Sequence, residues 1–300
     1  MSQQLISVDE LAEAIPKESS LRLLDVRWSL GGPDGRTEYA LGHLPGAVFV
    51  DLPTQLAGHG LPADGRHPLP DIADLQAAAR SWGLDDDADV VVYDDSSGQS
   101  AARAWWLLRH AGLSNVRVLD GGLAAWRAAS QPISTDAVAP VPGTVTLAYG
   151  HLPVLDIDAA AALPEHGVLL DARAPERFSG ETEPVDPVAG HIPGARNAPS
   201  AGNLADDGRF LPADDLAARY EALGVDGERP VGVYCGSGVT AAHDVLALMI
   251  AGMPAALYPG SWSAWSNHPG RPVATGSADA EATHDSTTTP STSSSISNRK

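Results

Sequence analysis

Cysteine is almost absent from this chain, whose 300 residues contain a single one, Cys235. One cysteine excludes an intrachain disulfide and any metal site built from several thiolates. Basic residues are also scarce: 19 Lys and Arg stand against 38 Asp and Glu, which gives a formal net charge of -19. A chain of this charge repels nucleic acid and anionic lipid, so we predict neither nucleic-acid nor membrane partners.

Long apolar runs are missing as well. No stretch approaches the roughly 20 apolar residues of a membrane-spanning helix, and the start of the chain lacks the basic and apolar segments of a secretory signal. Together with the lone thiol, these features predict a protein of the reducing cytoplasm. Residues 274–300 are rich in Ser and Thr with few large apolar side chains, which predicts a disordered tail.

The chain repeats itself once. Four segments recur in the same order, with LLDVR at 23–27, GHLPGA at 42–47, VVVYD at 90–94 and DGGLAAW at 120–126 matched by LLDAR at 169–173, GHIPGA at 190–195, VGVYC at 231–235 and PGSWSAW at 259–265. A repeat of this length indicates a duplicated domain and not a short solenoid unit. We predict domains at 1–136 and 153–273, joined by a Pro- and Gly-punctuated linker at 137–152.

Each half alternates strand and helix patterns. In the second half, residues 167–172 and 229–235 are typical of strands, whereas residues 240–251 have helical spacing and stop at Gly252. This alternation predicts an α/β fold: a tandem pair of domains, each a mostly parallel sheet flanked by helices. Ligands of such sheets bind beyond the carboxyl ends of the strands, and Cys235 directly follows one of them.

The lone thiol opens a glycine-rich turn, YCGSGVTAAH at 234–243. If the next helix begins near Thr240, its first backbone N–H groups and its dipole face the turn. Gly236 and Gly238 allow the backbone to curl so that amides point at the Cys235 sulfur, which favours a thiolate and would also hold an anionic persulfide. The predicted anion-binding backbone comprises Gly236, Gly238, Val239 and Thr240.

The first half carries Asp94 at the position that matches Cys235. The simpler interpretation of a lone cysteine at a strand end is a buried, inert side chain. However, duplication followed by the loss of one active site would leave a thiol in one copy and another residue in the other. We therefore predict a catalytic second domain and a catalytically silent first domain.

The motifs LLDAR, ERFSG, GHIPGA, YCGSGVTAAH and PGSWSAW resemble those of the two-domain rhodanese-like sulfurtransferases, over about residues 5–273. The loop Cys-Gly-Ser-Gly-Val-Thr looks like that of the 3-mercaptopyruvate sulfurtransferases, whereas thiosulfate-preferring relatives carry Arg and Lys after the cysteine. The resemblance implies an enzyme in which Cys235 takes sulfur from a small anionic donor, 3-mercaptopyruvate or thiosulfate. The resulting persulfide passes its sulfur to a thiol or cyanide acceptor. We expect no cofactor and no metal.

The resemblance also implies roles for supporting residues. Arg177 matches the arginine that holds the donor's anionic group, a task that suits the planar guanidinium fork. Arg173 matches a neighbouring arginine with a structural role. Ser237 matches a serine that relays a proton to the substrate, and His67 falls where that subgroup has a histidine behind the serine. A surface salt bridge and a solvated loop histidine are the simpler interpretations of Arg177 and His67.

Four further positions qualify the resemblance. Pro53 stands where the subgroup has an aspartate, and Asp186 stands near the place of its second donor-binding arginine. Both departures leave the choice of donor open. His43 and His191 occur in both halves, although only one half has the thiol, so we predict structural turns for them.

Two other functions use a lone reactive cysteine. A Cys-dependent phosphatase needs an arginine at the sixth position after the cysteine, where this chain has Ala241. The lack of that arginine argues against phosphoryl chemistry. The second alternative, a carrier that only ferries a persulfide for a partner protein, stays open. Multiple turnover with a small donor would distinguish an enzyme from such a carrier.

Overall fold

A computed structural model describes residues 4–18 and 20–276. The disordered tail predicted from residue 274 therefore lies almost wholly outside the described residues. Within them, no helix is long and apolar enough to cross a membrane.

Two parallel sheets organise the described chain. Their strands are β1 (Leu5–Ile6), β2 (Leu21–Asp25), β3 (Val48–Phe49), β4 (Asp89–Tyr93), β5 (Val116–Leu119), β6 (Val168–Asp171), β7 (Arg196–Asn197), β8 (Val231–Tyr234) and β9 (Ala256–Leu257). The first sheet has the order β1-β5-β4-β2-β3 and the second the order β7-β6-β8-β9, with Val154 bridging to β9 at its outer edge. Read from the opposite edge, the second sheet repeats the order of the first, which agrees with a duplicated domain.

Helices connect these strands and cover the sheets. They are α1 (Val8–Ala14), α2 (Gly35–Leu41), α3 (Leu52–Gln55), α4 (Ile72–Ser81), α5 (Gln99–His110), α6 (Gly122–Ala128), α7 (Ile157–Ala162), α8 (Pro175–Phe178), α9 (Ala213–Ala222), α10 (Thr240–Ile250) and α11 (Ser261–Ser266). Helix α10 begins at the predicted residue and ends before Gly252, whose φ of +77° is a left-handed conformation that glycine adopts without strain. Residues 137–152, the predicted linker, contain no helix or strand.

Helices α5 and α10 pack against each other and join the two domains. One buried apolar cluster includes Trp105 and Trp106 of α5 together with Leu246 and Leu248 of α10, all of them fully buried. Burial of side chains of this size contributes roughly 1.5–3 kcal/mol each, so this interface is stabilised as a protein core is. Each helix directly follows one of the two matching loops, and the loops therefore meet where the domains meet.

His43 and His191 are structural, as predicted. Nδ1 of His43 lies 2.9 Å from the backbone carbonyl of Tyr39, and Nδ1 of His191 lies 2.8 Å from that of Phe178. Each imidazole also stacks on the ring of that same residue, with centroids 3.8 and 3.7 Å apart. The identical arrangement in both halves shows that these histidines hold a turn in place.

Candidate active site

Cys235 lies at the carboxyl end of β8, at the start of a loop that we define as residues 235–240, the Cys235 loop. Its side chain is buried, and the backbone N–H of Gly238 donates a hydrogen bond to Sγ at 3.1 Å. The Cys235 N–H donates to Ser261 Oγ at 3.1 Å, and its carbonyl accepts from the N–H of Trp262 at 2.9 Å. The start of α11 therefore fixes the backbone that carries the thiol.

The two glycines of the loop serve different purposes. Gly238 has a φ of +80°, and a Cβ there would collide with the carbonyl of Pro259, so both conformation and space require glycine. Gly236 has no such left-handed conformation, so the prediction that it helps the backbone to curl was wrong. A Cβ at Gly236 would instead lie 3.1 Å from Arg66 Nη2 and 3.4 Å from Arg177 Nη1. Gly236 therefore leaves space for two guanidinium groups.

The backbone of the Cys235 loop offers several free hydrogen-bond donors. The N–H groups of Ser237, Val239 and Thr240 donate to no acceptor within residues 4–18 and 20–276. Thr240 is also the first residue of α10, where the helix dipole adds positive potential. One amide of the loop thus contacts Sγ directly, and these three others have no acceptor among the described residues.

The matching loop of the first domain shows what such amides bind. The buried Asp94 carboxylate accepts hydrogen bonds through Oδ1 from the N–H groups of Ser96 at 3.0 Å and Gly98 at 2.9 Å. Oδ2 accepts from the N–H of Ala101 at 2.9 Å. Ser97, with a φ of +60°, takes the left-handed conformation that Gly238 has in the other loop. The duplicated loop therefore already holds an anion in the first domain.

Ser237 and His67 come together from different domains. Ser237 Oγ lies 2.8 Å from Nδ1 of His67, which belongs to the loop before α4. This imidazole packs nearly perpendicular to the ring of Trp28, with ring centroids 5.0 Å apart. Burial, and to a smaller extent the positive charges of Arg103 and Arg66, lower the pKa of His67 to about 4. The imidazole is therefore neutral at neutral pH and free to exchange a proton with the Ser237 hydroxyl.

Arg103, a fully buried residue of α5, ties these loops to each other. Its guanidinium donates to the carbonyls of His67 at 3.0 Å, Leu56 at 3.1 Å and Gly238 at 3.2 Å. Burial lowers the pKa of Arg103 to about 10, so the side chain keeps its charge at neutral pH. A single cation from the first domain thus positions both the histidine loop and the Cys235 loop.

Arg173 is occupied by a buried ion pair. Its Nη2 donates to Asp171 at 2.6 Å and to the carbonyl of Gly190 at 2.7 Å. In the first domain, Arg27 donates through Nη2 to Asp25 at 2.9 Å and to the carbonyl of Gly42 at 2.7 Å. The same pair occurs in the half without a thiol, which favours the predicted structural role, although Arg173 Nη1 also pairs with Glu183 at 3.3 Å.

Arg177, in contrast, faces the space beside the thiol. It lies on the short helix α8, and its Nη2 donates to Glu183 at 2.6 Å and to Asp186 at 3.4 Å. The first-domain residue Arg66 forms an ion pair with the same Asp186. Asp186 therefore lies between two arginines. Its ion pair with Arg66 joins the two domains beside the Cys235 loop.

These groups enclose a cavity of about 430 Å³ between the domains. The predicted residues that line it are Cys235, Gly236, Ser237, Val239, Thr240, Arg173 and Arg177. Gly238, His67 and Pro53 are not part of the lining. Trp28 and Arg66 also line the cavity but were not predicted; for Arg66, the one available signal was its place directly before His67 in GRHPLP.

Comparison with known proteins identifies the family. The model of the rhodanese-like domain matches twice, at residues 7–129 and 156–268. A Mycobacterium tuberculosis protein named "Putative thiosulfate sulfurtransferase SseB" is 52% identical over 279 residues, which cover 92% of this chain and 98% of that protein. A Pseudomonas aeruginosa protein named "Probable 3-mercaptopyruvate sulfurtransferase" is 48% identical over 289 residues, covering 92% and 99% of the two chains.

A solved structure gives the same result. The crystal structure of SseA from Escherichia coli, described as a 3-mercaptopyruvate sulfotransferase, superposes with a TM-score of 0.78 at 34% identity. The match covers 87% of this chain and 99% of that one. The chain belongs to the rhodanese family, as a tandem pair of its domains. It is a sulfurtransferase, which confirms the activity expected from its motifs.

Proposed function

We propose that this enzyme transfers a sulfane sulfur from 3-mercaptopyruvate, through a persulfide on Cys235, to a thiol or cyanide acceptor. The observation that carries the proposal is the hydrogen bond between Ser237 and His67 beside the thiol, because only a donor whose carbon must be protonated needs such a pair. The acceptor and the cytoplasmic setting are part of the same proposal. The single cysteine, which leaves no disulfide to form, supports that setting.

Donor binding uses the cationic wall of the cavity. In this proposal, Arg177 holds the donor carboxylate, and the free amides of the Cys235 loop receive charge that develops at sulfur. Gly236 and Ser237 add no cationic side chain to the loop. Glu183 and Asp186 further offset the arginine charges, which favours a donor with one negative charge over the doubly charged thiosulfate.

The first half-reaction forms the persulfide. The Cys235 thiolate attacks the sulfur of 3-mercaptopyruvate, so that an S–S bond forms and the C–S bond breaks. The electron pair of the broken bond leaves with the enolate of pyruvate. The proton of the donor thiol passes to the enolate carbon, and pyruvate and an anionic Cys235 persulfide result.

Ser237 and His67 conduct that proton in this scheme. The neutral imidazole takes up the proton of the Ser237 hydroxyl while that oxygen accepts one from the donor, and the proton then returns through the same pair to the enolate carbon, so that His67 is again neutral when the step is complete. Burial lowers the pKa of His67 to about 4, so the imidazole is neutral before the step and carries the proton only transiently.

The second half-reaction releases the sulfur. The outer persulfide sulfur is two bonds from Cβ, as the Asp94 carboxylate oxygens are in the first domain. We infer that the N–H groups of Ser237 and Val239 hold that sulfur as those of Ser96 and Gly98 hold Asp94. A thiolate or cyanide then attacks it, the S–S bond breaks, and the Cys235 thiolate returns with a new persulfide or thiocyanate as product. The first domain is catalytically silent in this proposal, because Asp94 stands in place of the thiol.

The proposal is tested by steady-state kinetics with cyanide as acceptor, following thiocyanate formation. We expect kcat/KM to be larger for 3-mercaptopyruvate than for thiosulfate. A larger value for thiosulfate would overturn the donor assignment. Stoichiometric loading of one sulfur without multiple turnover would instead identify a persulfide carrier.

A further inference from the structure

The first domain contributes an uncharged wall to the cavity beside the thiol. Apart from Arg66, none of the first-domain residues that line the cavity carries a charge. Two of them, Ser96 and Gln99, come from residues 94–99, which match the Cys235 loop in the repeat and which we call the Asp94 loop. The copy of the loop that has no thiol therefore still encloses part of the site.

Two polar groups on this wall have unused hydrogen-bonding capacity. Ser96 occupies the position that matches Ser237, but its Oγ is buried and has no partner within residues 4–18 and 20–276. Gln99 accepts a hydrogen bond through Oε1 from Thr240 Oγ1 at 3.2 Å, which orients the amide. Nε2 of the same amide has no acceptor among the described residues. A buried hydroxyl and an oriented amide N–H are therefore both available to a ligand in the cavity.

The uncharged wall contacts a different part of the Cys235 loop from the arginines. Arg66 and Arg177 flank Gly236 near the start of the loop, whereas Gln99 contacts Thr240 at its end. A donor held by its carboxylate uses the cationic wall and has no need of a neutral hydroxyl and amide. In the second half-reaction the carbon skeleton of the donor has left, so a cavity of about 430 Å³ is open to an acceptor of small-molecule size.

We propose that Ser96 and Gln99 bind the sulfur acceptor, and that they favour a small thiol with amide groups, as in a short cysteine-containing peptide, over a thiol without them. Hydroxyl and carboxamide side chains pair with the N–H and C=O groups of an amide and offer no ionic partner to a charged acceptor. The inference rests on the proposed function in that Cys235 carries the persulfide. The transfer itself is unchanged: the acceptor's thiolate sulfur bonds to the outer sulfur, and the S–S bond to Cys235 breaks with its electron pair on Sγ.

The test isolates the second half-reaction. The full chain is loaded with one sulfur from 3-mercaptopyruvate or thiosulfate, separated from the donor, and mixed at pH 8 with N-acetylcysteine amide or with ethanethiol, which has no further polar group. Mass spectrometry follows the loss of sulfur from Cys235. We expect Ser96→Ala and Gln99→Leu each to lower the second-order rate constant for N-acetylcysteine amide roughly 2- to 10-fold, the range for one hydrogen bond between neutral groups. The rate constant for ethanethiol should change little.

Gln99→Glu separates binding of the acceptor from support of Thr240. The carboxylate still accepts from Thr240 Oγ1 but has no N–H to donate, so it should slow N-acetylcysteine amide as Gln99→Leu does. Ser96→Ala should keep or raise the melting temperature, because it removes a buried hydroxyl that has no partner. Ser200→Ala, on the second-domain side of the same cavity, is the matched control and should leave both thiols unaffected.

If Gln99 only holds Thr240 in place, Gln99→Glu reacts like the parent and the proposal fails. It also fails if the variants slow both thiols equally or slow neither. Slower loading of sulfur in Ser96→Ala or Gln99→Leu would place these residues in the donor half-reaction and overturn the proposal as well. Loading of the parent from thiosulfate but not from 3-mercaptopyruvate would overturn the donor assignment alone, because the acceptor test then runs on enzyme loaded from thiosulfate.

Discussion

His67 Nδ1 lies 2.8 Å from Ser237 Oγ, although 170 residues separate the two in the chain. The contact crosses the interface between the domains and brings a neutral imidazole to a hydroxyl of the Cys235 loop. Because α5 and α10 fix that interface through core packing, the distance is a property of the whole fold and not of one flexible loop. The predictions below depend on this assembly.

Cys235→Ser should abolish sulfur transfer while the protein stays folded, since serine fits the same space and cannot form a persulfide. Mass spectrometry of the parent after treatment with the donor should find one added sulfur, on the peptide that contains Cys235. Turnover in the variant, once contaminating enzyme is excluded, would contradict the assignment of the nucleophile.

Ser237→Ala should reduce kcat/KM for 3-mercaptopyruvate by about 10²–10⁴-fold, the usual contribution of a positioned proton donor. The loss with thiosulfate should be much smaller, because its leaving group, sulfite, does not need a proton on carbon. Ser200→Ala is the matched control, since Ser200 also lines the cavity, whereas the hydroxyl bonded to His67 is that of Ser237. Equal losses with both donors would count against the relay.

His67→Gln should change how stability depends on pH. The pKa of His67 is about 4 in the folded protein and near 6.5 in an unfolded chain. Between these values only the unfolded state binds the proton, so His67 makes the free energy of unfolding fall as the pH drops from about 6.5 to 4. In urea titrations at pH 7 and pH 4.5, the free energy of unfolding should therefore fall less in the variant than in the parent. The same pH dependence in variant and parent would show that His67 titrates normally.

The two loop glycines should respond differently to alanine. Gly238→Ala forces a left-handed conformation and a clash with Pro259, so we expect a loss of at least about 1 kcal/mol of stability. Gly236→Ala needs no such conformation, and its methyl group instead crowds Arg66 and Arg177. It should raise KM for the donor with little change in melting temperature. A melting temperature lowered equally by both would refute this division of roles.

Asp94→Asn should destabilise the protein by about 1–3 kcal/mol, since an amide cannot accept at both ends from the three N–H groups that the carboxylate satisfies. Activity per folded molecule should change little, because Asp94 does not line the cavity. Asp95→Asn, at the more exposed neighbouring position, is the control for loss of charge. A large fall in kcat with unchanged stability would show that the first domain takes part in the chemistry.

Local patterns in the sequence predicted the duplicated sheets and the start of α10, because spacing of apolar residues and the glycine stop are local properties. The same patterns placed Cys235 at a strand end. Arg66 and Arg103 escaped prediction because their roles depend on how the two domains pack. Gly236 was misread for a related reason: its conformation is ordinary, and what requires glycine there is the approach of two side chains from elsewhere in the chain.

The Asp94 loop of the first domain shows the arrangement that the Cys235 loop would have in its persulfide form. Asp94 places carboxylate oxygens two bonds from Cβ, whereas Cys235 has an atom at that position only while it bears a second sulfur. The Asp94 loop thus always has the arrangement that we infer for the persulfide state. The Cys235 loop has it only in the part of each turnover in which the outer sulfur is bound. With a carboxylate in place of the thiol, the first loop binds its anion permanently, because the C–O bonds of Asp94 are not broken as the S–S bond of a persulfide is.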